Sequence, residues 1–417
     1  MPPSPPPPAL RGLWLIVLLA ALQAFGPLSI DMYLAGLPAI AADLQTDASQ
    51  TQLTISAFLL GLFGGMLLYG PLSDKYGRRP LLLLGIALYA VACLGCLLAH
   101  SIEQLIALRI VQALGGAAAA VLGRAIVRDL FALSEAARIL SLMHLVTMLA
   151  TLAAPVLGGY LMLALGWRAL FAVLLLFALL TGLAVWRFIP ETHHGDARQA
   201  SLLSVFRAYG QIGRQRMALG YILCNSLSFA GMFAYITASP FVYIDYFGVL
   251  PQHYGWLFGL NILGVIVLVS LNARLVGKVG PERMLVYGTR LSAFSGMLLI
   301  ICGLTGMGGL PLLVLGLLGY VSVTGLIGSN CMASLLAHFP HQAGAAAGIT
   351  VATQFGLGAL ASSVTSGLHD GTPLPMTLLV GGCAMGCMAA LWLTFQPTAV
   401  PHSTAATTTA KEAPHDR

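Results

Sequence analysis

Apolar residues in this chain come in long unbroken runs, separated by short polar stretches, and show no alternation of period two. A helix needs about 20 mostly apolar residues, at 1.5 Å each, to cross roughly 30 Å of hydrocarbon. Windows of that kind cover residues 13–35, 53–71, 80–99, 102–123, 139–165, 167–189, 217–241, 253–273, 284–305, 309–331, 343–366 and 373–396. Continuous apolarity predicts helices and argues against an outer-membrane barrel, whose strands alternate. The expected fold is therefore an all-α integral membrane protein of twelve transmembrane helices.

The intervals between windows are short except for residues 190–216, and the two halves echo each other. LSDKYGRRPL (72–81), between spans 2 and 3, matches LVGKVGPERM (275–284), between spans 8 and 9, with Lys and Gly in register. The second copy lacks the Asp. A duplicated unit with both copies on one side implies two pseudo-symmetric six-helix bundles. The expected organisation is a Pro-rich cytoplasmic tail (1–12), a first bundle (13–190), a cytoplasmic linker (191–216), a second bundle (217–396) and a cytoplasmic tail (397–417). The apolar run after the prolines continues to Asp31 and Tyr33, so it reads as a first span and not as a cleaved signal. His193 and His194 read as solvated linker residues.

Composition agrees with this picture: 58% of the 417 residues are hydrophobic and only 8% charged, with a mean hydropathy of +0.88. The net charge of +6 does not point to nucleic acid, because its placement explains it. With the N-terminus in the cytoplasm, every Lys and Arg except Arg109 and Arg168 falls on or near that side, while Asp43, Asp47, Glu103, Asp245 and Asp370 mark the other. This obeys the positive-inside rule and predicts a bacterial inner-membrane location with both termini cytoplasmic. The cysteines lie in or beside apolar spans without acids or histidines at ligand spacing, so neither disulfides nor a metal site is expected.

Charges inside spans are costly and therefore informative. Asp31 and Arg109 are the clear cases, about 6 to 9 Å and about 10 Å below the outer ends of spans 1 and 4. Their similar depth suggests that both face a central cavity and are coupled, with Asp31 as a carboxyl able to gain and lose a proton. Tyr33, Phe58, Gln112, Asn225, Met232, Tyr235, Asn261, Gln354 and Phe355 are further candidates for lining that cavity, and each suits interhelical packing equally well. His144 reads as a packing histidine. In span 5, Pro155 with Gly158 and Gly159 should kink the helix and admit a close neighbour, which suits a hinge.

Between spans 2 and 3, Gly70-Pro71-Leu72-Ser73-Asp74-Lys75-Tyr76-Gly77-Arg78-Arg79-Pro80 supplies a tight turn with charges that can lock helix ends. It resembles the signature loop of the major facilitator superfamily. Leu105-x3-Arg109-x2-Gln112-Ala113-x-Gly115-Gly116 is similar to that family's helix 4 motif, and Ala154-Pro155-Val156-Leu157-Gly158-Gly159 to the helix 5 motif of its antiporters. The segments Gly26–Leu34, Arg124-Ala125-Ile126-Val127-Arg128-Asp129 and Gln354–Ala359 narrow the resemblance to the Bcr/CflA group of drug:proton antiporters. The resemblance implies multidrug export driven by proton influx, with bicyclomycin, phenicols and sulfonamides among the group's substrates. It also implies that Gly70, Asp74, Gly77, Arg78, Arg79 and Asp129 form a conformational latch, Arg78 pairing with Asp129 and Asp74 facing the start of span 11 near Gly344.

The leading expectation is thus a proton-coupled drug exporter that works by alternating access as a monomer. The bilayer, small-molecule drugs and protons are its partners; nucleic acid is not. The alternative is a proton-coupled metabolite porter for sugars, amino acid derivatives or polyamines, which would call for a more polar lining than these spans offer. An enzyme would need a nucleophile and base or a metal cluster within reach and is disfavoured, because His338 and His341 share no helical face and no acid accompanies them. No G-x-x-x-x-G-K-[ST] loop is present, so energy is expected from a gradient, without a cofactor.

Overall fold

The computed structural model describes residues 13–192 and 202–394. The proline tract, His193, His194 and the C-terminal tail lie outside the described residues. Twelve long helices satisfy the length and apolarity needed to cross a bilayer. They are α1 (Leu13–Leu34), α3 (Ala48–Tyr76), α4 (Arg78–Leu97), α5 (Ile102–Leu130), α6 (Leu133–Leu165), α7 (Arg168–Phe188), α9 (Arg216–Pro240), α10 (Pro251–Val279), α11 (Pro281–Thr305), α12 (Gly309–His338), α13 (Ala343–Gly367) and α14 (Leu374–Trp392). Two short helices join them, α2 (Leu37–Asp43) and α8 (Leu202–Gly213).

The number of spans matches the apolar windows, but several helices overrun them. Backbone hydrogen bonding continues through the polar turns: α3 starts at an Asp47 cap, whose carboxylate accepts from the Gln50 amide at 2.7 Å, and runs on to Tyr76. α9 continues as a π-helical turn over Phe241–Tyr246. The segment read only as a linker contains α8, whose Ile212 is buried and whose Tyr209 reaches Gly348 of α13.

The sequence repeat has a structural counterpart. Gly77 ends α3 at φ 93°, ψ 155° and Gly280 ends α10 at φ 89°, ψ 149°. Both values lie in a region that glycine alone enters freely, so the same sharp reversal is built twice.

The six helices α1 and α3–α7 pack mainly among themselves, as do α9–α14, and the two sets meet through α3 on α13, α6 on α10, and α1 on α9. One end of the molecule carries Lys75, Arg78, Arg79, Arg187, Lys278 and Arg283, and the other carries Asp43, Asp47, Glu103, Asp245 and Asp370. The halves are joined at the acidic end. Ser49 donates to the Ser366 carbonyl at 2.6 Å, Ser56 and Ser362 hydroxyls lie 2.7 Å apart, and Gln52 Nε2 is 3.3 Å from His369 Nδ1. The junction reaches Phe63 against Gly356. Toward the basic end a side chain built on Gly70 or Gly344 would meet nothing within 4 Å. The structure is therefore closed at the acidic end and parted at the basic end.

Within the first half, Asp43 braces the acidic end, accepting from Arg168 Nη1 at 2.7 Å and Trp167 Nε1 at 3.0 Å. These hydrogen bonds, Arg168's first, hold its carboxyl below the usual 3.8. A depressed value means that the contribution is present above the unfolded value and is lost as pH falls through the folded one. Melting of the purified protein between about pH 6 and about pH 3 should therefore drop less for Asp43→Asn than for the wild type. An equal drop would remove this pair from the stability of the acidic end.

Candidate functional site

Arg109 is fully buried inside the first bundle. Its Nη1 donates to Gln112 Oε1 at 2.7 Å and its Nη2 to the Ser29 carbonyl of α1 at 3.0 Å. Tyr33 and Phe58 hold the guanidinium between their rings, with centroids 4.5 and 4.2 Å from its central carbon. Gln112 passes the network on to Cys93, and Tyr33 to Thr54 at 2.9 Å. Cation–π contact and a carbonyl partner take the place of a carboxylate. Among the described residues no acid pairs with Arg109.

Asp31 is also buried, at 5% exposure, but it points the other way. It lies beside the Thr151 hydroxyl of α6 and within electrostatic reach of Tyr235 and Tyr254, on α9 and α10 of the second bundle. The expected coupling of Asp31 with Arg109 is not formed, and the reason is helical geometry. Ser29 and Tyr33, the residues that meet Arg109, are each two positions from Asp31, which at 3.6 residues per turn places them on the opposite face of α1. Arg109 grips the back of α1, while Asp31 faces the seam between the halves.

A neutral residue makes the matching grip in the second bundle. Buried Tyr320 of α12 donates to the Ser228 carbonyl of α9 at 2.9 Å, as Arg109 of α5 does to Ser29 of α1.

The seam around Asp31 is very close. A Cβ on Gly158 of α6 would land on the Met32 carbonyl oxygen. On Gly255 of α10 it would meet Val156 Cα at 2.8 Å, and on Gly159 the Pro251 carbonyl at 3.1 Å. The Pro155–Gly159 segment thus touches both α1 and α10, one from each half.

The remaining candidates divide by exposure. Tyr33, Phe58 and Gln112 are interior packing around Arg109, not a cavity wall. Asn225 is buried beside Gly328, and Tyr235 is buried with Asn261 donating to its hydroxyl at 2.8 Å. Met232, Gln354 and Phe355 are half-exposed, and Phe355 lies 6.3 Å from Phe229 and 6.1 Å from Phe233, ring to ring. At the basic end Arg78 meets Asp74 at 2.6 Å, Asp129 at 3.2 Å and the Ser73 hydroxyl. Asp74 engages Arg78, while Gly344 has no neighbour of this kind, as a structure parted at that end requires.

Glu191 was not anticipated from sequence. Its carboxylate accepts from the backbone amides of Arg78 and Arg79 at 2.9 and 3.2 Å, closing the N-terminus of α4 where a negative charge is favoured. Arg79 in turn donates to the Trp186 carbonyl at 2.6 Å. The only sequence signal was an acid directly after the Pro that ends span 6. Thr151 and Tyr254, which complete the surroundings of Asp31, carried none.

The family model described as Major Facilitator Superfamily matches residues 13–363. The chain belongs to that superfamily. It is 37% identical over 371 residues to a bicyclomycin resistance protein homolog of Haemophilus influenzae, covering 89% of this chain and 93% of that one. A chloramphenicol resistance protein of Pseudomonas aeruginosa is 35% identical over 272 residues, 64% of this chain and 62% of its own. These relatives agree with the resemblance to the Bcr/CflA group of the superfamily. Among solved structures, the xylose transporter XylE from E. coli, partially occluded and inward open, superposes with a TM-score of 0.71 at 16% identity over 92% of this chain and 98% of that one. At that identity the likeness speaks for the superfamily fold alone.

Proposed function

We propose that this superfamily member exports structurally varied small drugs of the bicyclomycin, phenicol or sulfonamide type across the inner membrane in exchange for protons. The observation that carries the reading is the position of Asp31, a buried carboxyl with a hydroxyl partner and no cation, set in the seam where α1 and α6 of one half meet α9 and α10 of the other. Burying a charge costs free energy unless it is paired, so the proton on Asp31 is tied to whether this end is open or closed. The resistance proteins among the relatives supply the substrate class.

In this reading the basic end is cytoplasmic, with both termini there, and the structure is the inward-facing state of a monomer. Drug enters from the parted end. Outward opening breaks the Ser49–Ser366, Ser56–Ser362 and Gln52–His369 contacts, frees Asp31 to the periplasm, and brings Asp74 toward the start of α13 near Gly344. A proton then takes Asp31 as the drug departs. The proton gradient is the energy source, no cofactor takes part, and no bond in the drug is made or broken.

The test is proton release from everted vesicles energised to an acid interior and challenged with a phenicol, bicyclomycin, a sulfonamide and a panel of sugars and polyamines. Release evoked by the drugs and not by the metabolites supports the reading. Release evoked only by a metabolite would replace it with the porter alternative, and none at all would remove antiport.

A further inference from the structure

Arg124 has no part in the alternation described above, and its setting differs from that of a surface charge. The apolar window of span 4 stops at residue 123, but α5 runs on to Leu130, so Arg124 stands six residues inside the helix. α5 packs on α1 through Ala120 and Gly123, on α3 through Ala113 and Ala117, and on α4 through Gly115. At 100° per residue Arg124 falls on the α3 face of α5 with Ala113 and Ala117, but its guanidinium turns back toward α1 to reach the Ala120 carbonyl. It is exposed although protein surrounds it closely. Its Nε donates to the Ala120 carbonyl at 2.9 Å, and Gln23 Nε2 of α1 reaches the same carbonyl at 3.1 Å.

The charges that act on this site share one sign. Arg128 lies one turn along α5, and His144 of α6 is within electrostatic reach of Arg124. Among the described residues no carboxylate pairs with Arg124. Gln23 precedes Asp31 by eight residues on α1, and His144 precedes Thr151 by seven on α6. Gln23 shares the Ala120 carbonyl with Arg124 and His144 lies within its electrostatic reach, all about two helical turns, roughly 11 Å, on the basic-end side of Asp31. An unpaired guanidinium beside a carboxamide matches a planar delocalised anion. The half-exposed Phe229 and Phe355 of the other half offer apolar surface for an aromatic body.

Resting on the drug-export reading, we propose that Arg124, flanked by Gln23 and His144, is an anion-recognising subsite at the entry to the drug pathway. Its preferred ligands are weak organic acids that spread a negative charge over an aromatic or heteroaromatic frame, with ionised sulfonamides the nearest class to hand. Lipophilic cations are disfavoured there.

Equilibrium binding to the purified full-length protein in detergent tests this, with sulfamethoxazole (ionised at neutral pH), chloramphenicol (neutral) and tetraphenylphosphonium (cationic) as probes. The wild type should bind the first more tightly than the last. Arg124→Gln should lower the ratio of sulfamethoxazole to chloramphenicol affinity about tenfold, as loss of one charge-assisted contact does. Arg124→Lys should keep part of that ratio, since the charge stays and the planar fork is lost, and Arg124→Glu should raise tetraphenylphosphonium binding, a gain that misfolding cannot produce. An unchanged ratio in Arg124→Gln, equal weakening of both drugs, or wild-type preference for the cation overturns the subsite while leaving drug export standing. Failure of all three probes to bind the wild type would instead sink the export reading, and the subsite with it.

Discussion

Replacing Asp31 with Asn should abolish drug-evoked proton release from everted vesicles while leaving a folded protein. The amide keeps the size of the carboxyl and can still meet Thr151, so the close packing between α1 and α6 is undisturbed. What disappears is the only buried carboxyl in the seam between the halves among the described residues. Exchange of drug for protons should fall at least about tenfold, to the background of empty vesicles. Melting in detergent should stay near that of the wild type. If release persists, the exchangeable proton resides on another group and Asp31 is a packing residue. Arg109 is not the alternative, since it faces the interior of its own bundle.

A second large effect is expected at Gly158. Its Cα lies so near α1 that any Cβ would collide with the Met32 carbonyl, a backbone atom that cannot swing aside. Gly158→Val must push α6 from α1 next to Asp31, with a cost of about 3 kcal/mol or more, the upper part of the range for overpacked interiors. The displaced helix also carries Pro155, Val156 and Gly159 against α10, so the disturbance reaches the second half. Both transport and melting temperature should fall, with Gly158→Ala between Val and the wild type. Gly382→Ala in α14 is the control, because its added methyl meets nothing within 4 Å. Full activity and unchanged melting in Gly158→Val would mean that the α1–α6 approach is looser than described.

The spans were legible because the bilayer imposes length and apolarity directly on the sequence, and the repeat was legible because the glycine reversal at Gly77 recurs at Gly280. The relation of Asp31 to Arg109 was misread. Depth alone suggested that they meet, whereas the two-residue spacing of Ser29, Asp31 and Tyr33 already places Arg109's partners behind α1. Tyr33, Phe58 and Gln112 belong to the interior around Arg109 for the same reason. Thr151 and Tyr254 carry no sequence signal and Glu191 only that of an acid after Pro190, since each acts on a residue more than a hundred positions away and none stands in a periodic pattern. Arg124 counts in the sequence only among the cations on or near the cytoplasmic side because apolarity ends at residue 123, while helical hydrogen bonding does not.

The central claim is that drug and proton compete through Asp31, and it is tested most directly by measuring protons released when drug binds the purified protein in weakly buffered solution. The account predicts about one proton per bound chloramphenicol in the wild type and none in Asp31→Asn, as linkage at a single titrating group requires. Binding without proton release in the wild type, or the same release from Asp31→Asn, would contradict it.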